Sequence, residues 1–215
     1  MTAGSAVGTE SEGVIDLCLP TDWCEVLLDD GGDPRAHVER VIRETWPTCP
    51  EHLRAGSEEL LLHWRDDLLD RGAVSHGVVS AETDEGAPVR WHVLTSVVRL
   101  PAVSDVDLTS VLTRLVAVSG REVLQVERFA TDMGLGLGLI AQPEVAPPEV
   151  ATWPPAPTDD QRRLGTAAAL SYAPGTGLGL LVLGMSVSPD QVLELATLVA
   201  VIAGRSRLLP QSETP

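Results

Sequence analysis

The sequence predicts an α+β fold, an antiparallel β-sheet built from hairpins with helices packed on it in a single domain. Three observations lead there. Runs rich in β-formers come in pairs separated by short turns containing Gly, Asp or Pro. Alternation of strand and helix, the mark of a parallel sheet, is lacking. A chain of 215 residues with 44% hydrophobic content can also build one core.

The elements follow in order. Residues 1–12 are small, polar and acidic, a disordered lead without the basic and apolar regions of a secretory signal. A single domain is expected over residues 13–208. Residues 14–19 alternate as a strand, with Val14, Asp16 and Cys18 on one side and Ile15, Leu17 and Leu19 on the other. Pro20-Thr21-Asp22 is a turn, and residues 23–28 form a second short strand. Asp33 then caps a helix with Pro34 in its first position. Val38, Val41, Ile42 and Thr45 mark its buried face, and Pro47 stops it. A second helix covers about residues 50–70 and ends before Gly72.

From Ala73 the pattern changes to period two. Residues 73–82 and 89–100 are strands around Thr83-Asp84-Glu85-Gly86. Ser104 or Asp105 caps a third helix reaching about Val118, with Leu108, Val111, Leu112 and Leu115 as its apolar stripe. Residues 122–130 and 134–142 make another hairpin. Residues 143–157 hold six prolines and read as an extended, exposed loop inside the domain. Residues 166–172 and 177–187 form the last hairpin around Pro174-Gly175-Thr176. Pro189 opens a final helix to about Ala203, and residues 209–215 are a frayed tail.

Composition excludes several functions. Lys and Arg number 15 against 31 Asp and Glu, a formal charge of −16, and every one of those cations is Arg. Nucleic acid is not an expected partner, because binding it requires a basic footprint that releases counterions. An anionic membrane surface is excluded for the same reason. The chain has neither Lys nor Asn, which reads as high-GC coding bias. A Walker-type phosphate loop, a protein kinase site and a Schiff-base enzyme each need one of those residues. Three cysteines without a CxxC pair argue against a disulfide framework and for the cytoplasm.

Two glycine-rich strands stand out, Gly134-Leu135-Gly136-Leu137-Gly138-Leu139 and Gly177-Leu178-Gly179-Leu180-Leu181-Val182-Leu183-Gly184. Alternation leaves one face of each as bare backbone. The final helix, with Ala196, Ala200 and Ala203, is small enough to fill it; a ligand approaching the backbone is the other reading. Gly175-Thr176-Gly177-Leu178-Gly179-Leu180, with Asp132-Met133-Gly134-Leu135-Gly136 before it, resembles the glycine boxes of the histidine-kinase-type ATPases. That resemblance implies a nucleotide site, but the family's metal-chelating Asn has no counterpart here.

Other candidate chemistry is thin. Cys18, Cys24, Cys49 and His52 include a CxxH spacing and could ligate zinc, against the reading that Cys18 packs in a strand and Cys49 is simply free. Glu59, His63, Asp66, Asp67 and Asp70 share a helix face, read as a solvated acidic face. Exposed Trp is favoured at protein interfaces. Trp153, beside Pro154-Pro155, and Trp23, after a turn, are therefore the candidate partner contacts. Leu19-Pro20-x-x-Trp23, the helix pair, the hairpins and Ser188-Pro189-Asp190 leading a last helix resemble small α+β proteins of high-GC bacteria with the Mog1/PsbP-like architecture, over residues 13–208. That resemblance implies a binding or assembly role and no catalytic residues. The expected function is thus non-catalytic binding or assembly, chaperone- or adaptor-like, with no cofactor and no metal. Its partner would be another protein with a basic surface, or a second copy in a homo-oligomer. The alternatives are a metal- or nucleotide-dependent enzyme and a degenerate relative of the ATPase fold.

Overall fold

A computed structural model describes residues 14–27, 31–82, 88–100, 107–117, 123–145 and 163–209. The expected lead at 1–12 lies outside them. The elements are β1 (Val14–Asp16), β2 (Trp23–Glu25), α1 (Pro34–Thr45), α2 (Glu51–Asp70), β3 (Ala73–Glu82), β4 (Pro88–Arg99), α3 (Leu108–Ala117), β5 (Val123–Thr131), β6 (Gly134–Val145), β7 (Arg163–Ala173), β8 (Leu178–Ser186), α4 (Val192–Arg205) and β9 (Arg207–Leu209). Among the described residues, seven strands form one sheet in the order β2-β3-β4-β8-β7-β6-β5. Every neighbouring pair in it is antiparallel. The fold class is the α+β arrangement expected.

Local chemistry sets several boundaries. The Asp33 side chain accepts from the Arg35 N–H at 3.0 Å and Pro34 opens α1, so its first turn is capped and pre-shaped. Gly72, Gly134, Gly175 and Gly177 adopt positive φ at the turns that end α2 and reverse the β5–β6 and β7–β8 hairpins. At α3 the cap is Asp107, whose carboxylate accepts from both the backbone and the hydroxyl of Ser110. Ser104 and Asp105 lie outside the described residues.

Helices cover both faces of the sheet. On the first face α1 and α2 lie over β2–β4, where Val26, Val41 and Val78 meet, and α3 packs Leu108 and Leu112 onto Leu137, Ala168 and Leu170. On the second face α4 buries Leu195, Val199, Ile202 and Ala203 against Val93, Ala167, Ala169, Leu180 and Val182. Strand β7 is buried on both sides, which explains its nearly unbroken apolar run.

Three expectations are corrected. The strand expected over residues 14–19 covers only Val14–Asp16, and it pairs with β9, at Val14↔Leu209, Ile15↔Leu208 and Asp16↔Arg207. The tail expected to fray at Leu209 is therefore a strand up to that residue. Alternation marks the first strand, but its partner lies at the opposite end of the chain, where no local pattern points to it. Pro143 is in β6, not in a loop. The ladder shifts register between Ala141 and Glu144, where proline has no N–H to donate. The rest of the Pro-rich stretch lies outside the described residues.

The two glycine ribbons have different fates. A Cβ on Gly184 would stand 2.7 Å from both Leu195 and Val199, so this glycine seats α4 on β8. A Cβ on Gly138 would meet only Phe129 at 3.6 Å and the Ala168 carbonyl at 3.9 Å. The final helix fills the second ribbon at Gly184, while Val98 and Leu100 meet Gly179 on the opposite face; in the first ribbon Thr131 and Phe129 lie over Gly136, and only ordinary contacts surround Gly138. Gly184→Ala should therefore cost about 1–3 kcal/mol through overpacking, and Gly138→Ala under about 1 kcal/mol. Urea unfolding of both variants checks this; equal losses would mean that Gly184 does not set the seat of α4.

Candidate functional site

The strand around Gly138 is the floor of a groove. Helix α4 sits mainly over β7 and β8, its end reaches the β5–β6 turn, and beside it the second face of β5 and β6 carries Gln125, Glu127 and Phe129 around Gly138. The groove has a volume of about 590 Å³. Its floor is Gly138, Ile140 and the backbone of Ala168, and one wall is α4 from Leu193 to Arg205. Thirteen helical residues extend over about 18 Å at 1.5 Å per step. Phe129 closes the floor, touching the position a Cβ would take on Gly138 and on Gly204. Leu193 and Val201 stand 59% and 50% exposed on the wall, large apolar groups that one-sided packing would place inward.

The groove offers apolar area more than reactivity. Its polar side chains are Gln125, Glu127, Asp132, Thr197 and Arg205. Glu127 accepts from Gln125 at 2.8 Å, Asp132 pairs with Arg207 at 3.1 Å, and the Thr197 hydroxyl donates to the Leu193 carbonyl at 3.0 Å. No imidazole or thiol lies among the lining residues. The Asp132 N–H donates to the Gly204 carbonyl at 2.7 Å, which ties the β5–β6 turn to the end of α4.

A second constellation is buried on the first face. His76 on β3 and His92 on β4 hydrogen-bond through Nε2 and Nδ1 at 3.1 Å, with Trp64 of α2 edge-on to His92. Arg90 donates from Nε to the Thr45 carbonyl at 2.8 Å and stacks over Trp46 with its guanidinium 4.5 Å from the ring centre. Glu25 of β2 ties the layer to the second face: its carboxylate accepts from Ser75 Oγ, Trp23 Nε1 and the backbone of Leu27 and His76. Ser75 pairs with Thr95 and His76 with Leu94, so adjacent Ser and His point to opposite faces and form no nucleophile–base pair.

The other predicted residues fall apart in space. Cys18 is exposed and its backbone N–H donates to Ser206; Cys24 donates to Glu44; Cys49 is buried with Val38, Ile42 and Leu61. Burial raises the Cys49 thiol above its ordinary value, and burial with the Glu44 charge does so for Cys24. No cluster of three or more His, Cys, Asp or Glu among the described residues could hold a metal ion. The zinc grouping with His52 is thereby corrected: two of its members face separate layers. Likewise Gly175–Leu180 turns into strand β8 and not into a helix, so it has no helix N-terminus to meet a phosphate, as the ATPase resemblance requires. Trp23 is half-buried, its ring over Gly77 and its N–H on Glu25. Trp153 lies outside the described residues.

The groove and the histidine pair were not read from the sequence. The signal for the first was a helix apolar on every side. For the second, folding the hairpin about residues 83–87 would have brought His92 opposite Val78, beside His76.

No family model and no curated protein matches the chain. Among solved structures it is similar to LpqN of Mycobacterium tuberculosis, involved in cell envelope biogenesis, at 13% identity with a TM-score of 0.44, over 95% of this chain and 88% of that one. At that identity and TM-score, the role of LpqN does not transfer to this chain. The Mog1/PsbP likeness has no family match behind it. No helix among the described residues is long and apolar enough to cross a membrane.

The histidine pair gives the protein a pH dependence. Burial lowers His92 from 6.5 to about 4, and burial with the His92 neighbour holds His76 well below its usual value. Both stay neutral in the fold, while the unfolded chain takes up protons below about 6.5. Their contribution is complete above pH 6.5 and is lost as the pH falls towards 4. For His92 alone it amounts to about 3 kcal/mol. Chemical unfolding at pH 7.5, 6, 5 and 4 should show that decline. The double variant H76L/H92L, which leaves neither ring unpaired, should flatten it relative to the parent; an unchanged slope would assign the loss to other groups.

Proposed function

We propose that the protein is a non-catalytic binding or assembly factor whose docking surface is the groove between α4 and the β5–β6 end of the sheet. The observation that carries this reading is the composition of α4 in its place. A helix resting on one sheet needs one apolar stripe and a polar outer side. This one buries Leu195, Val199 and Ile202 below and presents Leu193, Ala196, Ala200 and Val201 to the groove.

The form of the groove supports a polypeptide segment as occupant. It runs the length of α4, as a helix laid alongside would need. At Gly138 the floor carries no side chain, which lets another backbone approach closely there. The groove's carboxylates and its Gln are held by partners within the chain, which supports binding over catalysis. The formal charge of −16 would steer a basic partner towards the protein and set the rate of encounter more than the affinity. Three free thiols fit a cytoplasmic setting.

Photo-crosslinking in native cells tests the reading. A benzophenone side chain at Val201 of the full chain should give a covalent adduct with one polypeptide, identified by mass spectrometry. The same group at Val74, 50% exposed on β3, should not. Equal yields at the two positions, or none at Val201, would remove the groove as a docking surface.

A further inference from the structure

The geometry points to a second copy of this chain as the occupant of the groove, its own α4 lying antiparallel beside α4 as a two-fold dimer. This rests on the docking role of the groove argued above and names its partner.

The first argument is layer geometry. One helix occupies the second face mainly over β7 and β8, and beside it the β5–β6 part of that face carries Gln125, Glu127, Phe129 and Ile140 with no helix of the described residues laid along it. If two copies bring these faces together about a two-fold axis, each α4 lies on its own β7–β8 and over the other copy's β5–β6. The result is one layer of two helices between two sheets. A helix in such a layer has a sheet on each side and must be apolar all round. From Leu195 to Gly204, α4 carries no charge at all.

The second argument is charge placement. Asp190 and Glu194 stand at the start of α4 and Arg205 at its end, all three exposed. Side by side and antiparallel, two such helices place each acidic end against a basic end, and two-fold symmetry makes the contact twice. Their macrodipoles then oppose as well. A parallel arrangement would set like charges together at both ends. Between the charged ends, Ala196, Ala200 and Gly204 recur every four residues and permit close approach, flanked by Leu193, Thr197 and Val201.

A third consequence separates this partner from a basic one. Two copies each carrying −16 repel at long range, so salt should strengthen self-association, whereas it would weaken a complex with a basic protein.

Sedimentation equilibrium of the full chain at 20 and 200 mM NaCl provides the test. The expected result is a dimer that tightens at the higher salt. V201D should weaken it at least a hundredfold, with a melting temperature equal to the parent's when both are measured at a concentration where the parent is monomeric. E194R and R205E should each weaken it about tenfold, and the E194R/R205E double variant should return to within about threefold of the parent. A monomer at 200 μM in both salts, or a dimer indifferent to V201D and to the charge exchange, overturns the proposal. If the chain is monomeric while Val201 still crosslinks a different polypeptide, the docking role stands and only its occupant is wrong. If neither is seen, both fail.

Discussion

The close approach of α4 to the middle of the sheet is the constraint on which the rest of the structure depends. It is possible because β8 offers no side chain at Gly184 and β7 offers only Ala167 and Ala169 on that face. The helix thus sinks onto β7 and β8, with Leu195 and Val199 in the space a larger residue would take. Bringing it down there rather than over β5 and β6 leaves the Gly138 strand open along one side. The seat of one helix therefore creates both a tight contact at Gly184 and an apolar groove wall at Leu193 and Val201.

The opposite face is built on a different principle. There α1 and α2 enclose polar groups: Arg65, His76, Arg90 and His92 are all buried. Such groups cost free energy unless paired. The His76–His92 bond and the Thr45 carbonyl provide part of that pairing, while His76 Nδ1, Arg90 Nη1 and Arg65 Nε are buried without a hydrogen-bond partner among the described residues. The guanidinium of Arg90, lowered to about 10 by burial, also rests on Trp46. Such a layer specifies one arrangement of β2, β3 and β4 under the helices, because any slip would strand several polar groups together. It gives this half of the protein uniqueness and acid sensitivity, while the α4 half supplies a surface.

The three free cysteines and the acidic face of α2 belong to neither centre. Glu59 and Asp67 are engaged in exposed ion pairs with Arg35 and Arg71, which contribute little at such exposure. Cys49 is a small apolar filler between α1 and α2. Residue types that suggest ligation when read in a row thus resolve into solvation and packing once their neighbours are known.

Much of the architecture was legible because its causes are local. Asp33-Pro34 starts α1, Gly72 ends α2, and the glycine turns reverse two hairpins; each acts through residues a few places away. The α+β class follows from those hairpins. What the sequence determined by itself was therefore the inventory of elements and the absence of motifs that need Lys or Asn. Tertiary structure alone decided the pairing of β1 with β9, the seam of β4 and β8 that joins the halves, the histidine contact and the groove. These depend on contacts between residues far apart in the chain, whose loop-closure cost and register no local pattern encodes. The glycine ribbons show the division most clearly. Their alternation predicts a bare face in both, and only tertiary contacts determine that α4 fills Gly184, Val98 and Leu100 fill Gly179, Thr131 and Phe129 fill Gly136, and Gly138 stays at the groove.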